Sequence, residues 1–169
     1  MRIIVNDANI LIDLVELRLL PHFFDLEFEF ITSELVLDEL FEDQYEALSP
    51  YIDGKKLVVE EMTGDDIIEI MTIQSKKPSL SEQDCSAFYQ ARKSEATLIT
   101  SDNTLRKFAQ ENEVEVHGHL WVFDHMIEAK TITGTRACEK LIELSTQINP
   151  KLGLPKNECE TRLKRWMNL

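Results

Sequence analysis

Four acidic residues stand where carboxylates can do chemistry: Asp7, Glu39, Asp84 and Asp102. Asp7 and Asp102 each follow a short apolar run and precede apolar residues at helical spacing, which places a carboxylate at the carboxyl end of a strand. In an open parallel α/β sheet, the crevice beyond those strand ends is where ligands bind. Glu39 comes four residues after Leu35 and three after Val36, so a helix would carry it on their apolar stripe. Asp84 precedes Ala87 and Phe88 by three and four residues and shares their stripe in the same way. Two like charges about 4 Å apart repel by roughly 4 kcal/mol at an effective dielectric near 20, so converging carboxylates need protons or cations. A donor set of hard oxygens without His or Cys suits Mg²⁺ or Mn²⁺. Such ions polarise a phosphodiester, activate water near neutral pH and stabilise a leaving oxygen.

Two of these residues carry a second reading. Ser101 or Asp102 could simply cap a helix over 103–112, and Ser81 and Asp84 have capping-box spacing at the start of a helix. Cap and site remain open for both.

The elements that must position these carboxylates alternate along the chain. A β-branched run over 2–5 leads to Asn6 and Asp7, after which Leu11, Leu14 and Val15 recur at helical spacing. A strand over 28–32 is followed by Ser33 as cap and a helix over 34–43 that includes Glu39. A helix over 45–52, a strand over 57–59 and a helix over 65–75 come next, and Pro78 closes that region. The helix opened by Ser81 precedes a strand over 97–100, Asp102, and a last strand over 114–117 with a helix over 120–129 behind it. Strands alternating with helices, without repeats, predict a three-layer α/β/α sandwich around a central parallel sheet. Residues 1–129 form this domain. Residues 130–169 form a C-terminal helical extension packed on it, with helices over 135–147 and 156–166.

Composition narrows the function. A chain of 169 residues, 43% hydrophobic and 29% charged, fits one globular domain. Asp7, Asp13 and Glu16 interrupt the apolar start, so neither a leader nor a spanning helix is expected, and the chain reads as cytoplasmic with no membrane partner. Cys85, Cys138 and Cys159 are odd in number and well separated, which argues against disulfides and a thiolate zinc site. The net charge of −13 excludes gripping nucleic acid by bulk positive charge. Metal ions or a local patch must supply it. His117, His119 and His125 lack the spacing of a zinc site, Trp121 and Phe123 read as core, and the five glycines form no phosphate loop.

In motif order the sequence resembles the PIN-domain nucleases, among them the toxin ribonucleases of toxin–antitoxin pairs. The segment Asp7-Ala8-Asn9-Ile10-Leu11-Ile12-Asp13 is similar to the family's opening motif, and Val36-Leu37-Asp38-Glu39-Leu40 to its glutamate helix. Leu80-Ser81-Glu82-Gln83-Asp84 resembles the third motif, and 98–105 the fourth. The resemblance implies that Asp7, Glu39, Asp84 and Asp102 are the catalytic, metal-binding carboxylates, with Asn9 and Thr100 as polar support. It implies Mg²⁺ or Mn²⁺ as cofactor, RNA as substrate, and an antitoxin protein or a homodimer among the partners. Asn103 departs from the second acid that many relatives carry after the fourth motif, and the extension exceeds the compact toxin core. The rival within the fold is a non-catalytic PIN-like module that binds RNA or protein. A phospho-acceptor domain would need a lysine where His117-Gly118 stands.

The extension also differs in charge. Residues 150–169 carry five basic and two acidic side chains, a net of +3 that leaves −16 for the rest. Arg162, Lys164 and Arg165 could therefore hold an RNA backbone. The alternative is an amphipathic helix that packs Cys159, Leu163 and Trp166 on the core.

Overall fold

A computed structural model describes residues 1–169. Strand β1 (Arg2–Asn6) leads to helices α1 (Ala8–Glu16) and α2 (Leu20–Phe24), then β2 (Phe28–Ser33) to α3 (Glu34–Leu37) and α4 (Glu42–Asp53). Strand β3 (Leu57–Glu60), helices α5 (Gly64–Lys76) and α6 (Glu82–Lys93), and strand β4 (Thr97–Ile99) follow. Helix α7 (Asn103–Glu111), strand β5 (Val116–His117) and helices α8 (His119–Glu128), α9 (Gly134–Glu143) and α10 (Lys156–Trp166) complete the chain. All strand pairs are parallel, in the order β3-β2-β1-β4-β5. The chain therefore builds outward from β1 in one direction, then crosses to the other side for β4 and β5. The reversal lies between β1 and β4, where a crevice opens beyond the strand ends.

Period-two alternation divides the strand residues between two cores. Ile4, Phe30, Leu57 and Ile99 face one side, where α1, α2, α4, α8, α9 and α10 cover them. Val5, Ile31, Leu98 and Val116 face the other, under α5, α6 and α7. This is the expected α/β/α sandwich. No helix is long and apolar enough to cross a membrane.

The extension belongs to the first of these cores. Trp166 is 1% exposed, stacks obliquely near Phe123 and donates from Nε1 to Asp124 Oδ1 at 3.1 Å. Gly134 makes this close approach possible, because a Cβ there would sit 2.0 Å from the Trp166 carbonyl oxygen. Between α9 and α10, residues Leu144–Ile148 widen into a π turn, so the helix expected over 135–147 changes its hydrogen bonding at Leu144.

Three other boundaries differ from the sequence reading. The helix expected over 34–43 stops at Leu37, because the Glu39 and Leu40 amides bond back only three residues, to Val36 and Leu37. Helix α4 then starts at Glu42, ahead of the expected 45. Strand β5 holds only Val116 and His117 of the expected 114–117. Helix α2 was not expected: five residues beginning Leu20-Pro21 are too few to show a period.

Candidate active site

The four carboxylates gather at the β1–β4 reversal. Asp7 directly follows β1 and is fully buried, while its Oδ1 accepts from the Ala8 amide at 2.9 Å and caps α1. Thr100, directly after β4, donates from its hydroxyl to Asp7 Oδ2 at 2.7 Å. The same hydroxyl oxygen accepts from the Asp102 amide at 3.0 Å, so one side chain ties the two strand ends together. Asn9 Nδ2 donates to Asp7 Oδ2 at 3.3 Å.

Asp102 caps α7, with Oδ1 accepting from the Leu105 amide at 2.7 Å. Asp84 completes the capping box of α6: its Oδ2 accepts from the Ser81 amide at 2.9 Å, and its own amide donates to Ser81 Oγ at 3.0 Å. The cap readings are therefore physically true of three of the four residues. They do not remove the carboxylates from the crevice. Asp84 and Asp102 each have one carboxylate oxygen outside the cap, and three helix N-termini converge there, whose dipoles favour negative charge. Helix α6 is held in place by its buried Cys85, Ala87, Phe88 and Ala91 and by a 3.0 Å hydrogen bond between Ser86 and Ser33 at the end of β2.

Charge coupling shows how the four relate. Burial pushes the Asp7 carboxyl up to about 7; the Thr100 and Ala8 hydrogen bonds oppose this, and the Asp84 and Glu39 charges add to it. Burial also raises Asp84, against the pull of its Ser81 hydrogen bonds and with a further push from Asp102. Glu39 is raised by partial desolvation and by Asp84. Asp84 is thus the hub that feels or is felt by each of the other three. Glu39 reaches this position from an exposed turn after α3 and not from a helical stripe, a correction to the sequence reading.

No group of three His, Cys, Asp or Glu side chains is arranged to hold a metal ion as it stands. The donor chemistry nevertheless fits a hard divalent cation: it is an all-oxygen set, and burial and its neighbours' charge push the Asp7 carboxyl up to about 7.

Of the remaining sequence candidates, Arg162 donates from Nε to Asp124 Oδ2 at 2.8 Å and also pairs with Glu158. Arg165 pairs with Asp124 as well, while Lys164 is exposed on α10. His119 is structural in the expected sense, its Nε2 lying 2.8 Å from the buried Asp13 carboxylate, which Asn149 also contacts at 3.2 Å. The sequence reading passed over Arg106. Its guanidinium donates to the Thr100 carbonyl at 3.1 Å, immediately beside the crevice. An arginine one helical turn after Asp102 was the available signal.

The chain is thus an α/β/α sheet with acidic residues clustered at its topological reversal, the place where such sheets bind their ligands. A family model described as a PIN domain matches residues 3–156, and the chain belongs to that family. PIN domains are in general nucleases and typically use divalent metal ions. No curated protein matches the chain.

Proposed function

We propose that this chain is a Mg²⁺- or Mn²⁺-dependent endoribonuclease that hydrolyses RNA phosphodiester bonds. The observation that carries the reading is Asp7: a fully buried carboxyl pushed up to about 7 by burial and by the surrounding acids, tied to β4 through Thr100. A buried acid without a compensating cation in the fold is costly, and such perturbed groups cluster at functional sites. Asp7, Glu39, Asp84 and Asp102 would hold the ion. When bound, it supplies positive charge at the scissile phosphate and lowers the pKa of water there.

The chain's own residues perform the positioning. Thr100 fixes the Asp7 carboxylate by donating to Oδ2 and fixes Asp102 by accepting from its amide. Asn9 restrains the same Asp7 oxygen from the α1 side. Asp84, whose Oδ2 accepts from the Ser81 amide, keeps its other oxygen outside the capping box. Of the tail cations Arg162, Lys164 and Arg165 considered for the RNA backbone, Arg162 and Arg165 are engaged by Asp124 and only Lys164 is exposed without such a partner; Arg162 lines a cleft together with Ser101 and Asn103.

The test is an RNA cleavage assay with Mg²⁺ or Mn²⁺ and with chelator. Wild type should cut only with metal, and Asp7→Asn and Asp102→Asn should each lose at least about 100-fold, beyond the cost of losing a mere supporting group. Full activity in both variants overturns the nuclease reading and favours the binding module. Thr100→Val, which removes support and leaves all four acids, should weaken Mn²⁺ binding by about 10–100-fold, read by titration.

The acidic crevice also suits a protein inhibitor of the antitoxin kind, in which an arginine fork would pair with Asp7 and Asp84. An inhibitor that binds an Asp7→Asn, Asp84→Asn double variant as well as wild type would refute this docking mode.

A further inference from the structure

Beside the acidic crevice lies a second cleft of about 320 Å³, on the β5 side of the α7 N-terminus. Ser101 and Asn103, which flank Asp102, line it together with Gly118, His119 and Arg106. We propose that this cleft holds a backbone phosphate of the RNA strand next to the one that is cut, with Arg106 as the anchoring cation. The inference rests on the ribonuclease reading and assigns that site a subsite for its substrate.

Arg106 is half-buried, and its hydrogen-bond partner in the protein is the neutral Thr100 carbonyl at 3.1 Å. In a chain with 31 acidic and 18 basic residues, a guanidinium in a cleft without a carboxylate partner is conspicuous. Arg162, which also lines the cleft, is by contrast neutralised by Asp124 and by Glu158, another lining residue. Arg106 thus retains donors for an anion, and a guanidinium fork matches phosphate geometry.

Two further features are built around it. Gly118 has φ −135°, which any residue adopts, so it is not needed for its backbone conformation. Its lack of a side chain lets the guanidinium lie where it does: a Cβ there would lie 2.4 Å from Arg106 Nη2, pushing that flexible end aside, and a tight 3.2 Å from the Thr100 carbonyl oxygen. Gly118 also caps α8, whose first backbone amides are unpaired in the helix and favour an anion. The buried His119 also lines the cleft, and its Nδ1 has no hydrogen-bond partner.

Thr100 donates its hydroxyl to Asp7 and its carbonyl accepts from Arg106, so one residue joins the acid crevice to the cationic cleft. On the other side of the α7 N-terminus, Lys77 and Lys107 line a shallow cleft that shares Asn103. Cations therefore flank the acids on both sides, and a strand crossing α7 can be held without bulk positive charge.

The test is binding of a short, fluorescently labelled single-stranded RNA in chelator, over a range of salt, so that cleavage does not enter. Arg106→Gln should bind about tenfold more weakly at low salt, with a log–log salt slope flatter by about 0.7, the loss of one phosphate contact. Arg106→Lys should keep the wild-type slope. Gly118→Ala, which keeps the charge and displaces the guanidinium, should also weaken binding, and it answers the question if Arg106→Gln fails to fold. Equal affinity and slope in wild type, Arg106→Gln and Gly118→Ala, or no RNA binding by wild type, overturns the proposal. Cleavage with Mn²⁺, measured separately, distinguishes the failures: cutting with Arg106-independent binding sinks the cleft alone. Arg106-dependent binding without any cutting sinks the nuclease reading and leaves the cleft as an RNA site.

Discussion

Asp7→Asn is expected to melt at a higher temperature than wild type in chelator at pH 8, and to lose that advantage by about pH 4. The sign follows from linkage. The Asp7 carboxyl is raised from 3.8 to about 7 in the folded chain, so its stabilising contribution is complete below the unfolded value and is lost as pH rises through the folded one. A rise of that size corresponds to roughly 4 kcal/mol of lost stability above neutrality. The variant does not titrate and keeps an amide oxygen for the Ala8 amide, which Asp7 Oδ1 now accepts at 2.9 Å. It gives up an acceptor for Thr100 and Asn9, so the net gain should be about 1–3 kcal/mol, each kcal/mol moving Tm by about 2–4 °C. Mn²⁺ should reverse the order, stabilising wild type and leaving the variant behind. A lower Tm for Asp7→Asn at pH 8 in chelator would show that Asp7 is a cap and little else.

Trp166→Ala is expected to cost about 3–5 kcal/mol, the range for truncating a large buried aromatic. The indole is 1% exposed, lies 5.7 Å from the Phe123 ring and hydrogen-bonds Asp124, so the variant loses packing and leaves a half-buried carboxylate with one donor fewer. Urea denaturation monitored by circular dichroism reads the change. A loss below about 0.5 kcal/mol, the scale of surface substitutions, would mean that α10 is a loosely held appendage. The structure explains the +3 charge of the tail mainly by packing, since Arg162 and Arg165 both close on Asp124.

How much of this was legible in the sequence depended on whether the local signal and the tertiary requirement coincided. Asp7 and Asp102 could be placed because each follows an apolar strand and opens a helix, and those two facts alone fix a carboxylate at a strand end. Asp84 was ambiguous because one residue does both jobs: it caps Ser81 and faces the crevice. Glu39 does feel the Asp84 charge, but from a turn and not from the helical stripe that its spacing suggested. Leu35, Val36 and Leu40 have helical spacing whether or not the backbone breaks after Leu37, and Phe41, which precedes α4, carries no capping side chain. The one mark of that boundary was Gln44, whose side-chain oxygen accepts from the Phe41 amide at 2.9 Å. Arg106 and Gly118 were invisible together because their contact spans twelve residues and depends on a missing Cβ. The order of the strands, and with it the crevice, is a tertiary fact that no window of sequence contains.

If the four carboxylates share a divalent ion, as proposed, Mn²⁺ titration followed by electron paramagnetic resonance will show it. Wild type should bind Mn²⁺, and Asp7→Asn and Asp102→Asn should each bind at least about tenfold more weakly, with both variants folded by circular dichroism. Mn²⁺ binding of equal strength in wild type and both variants would contradict the account.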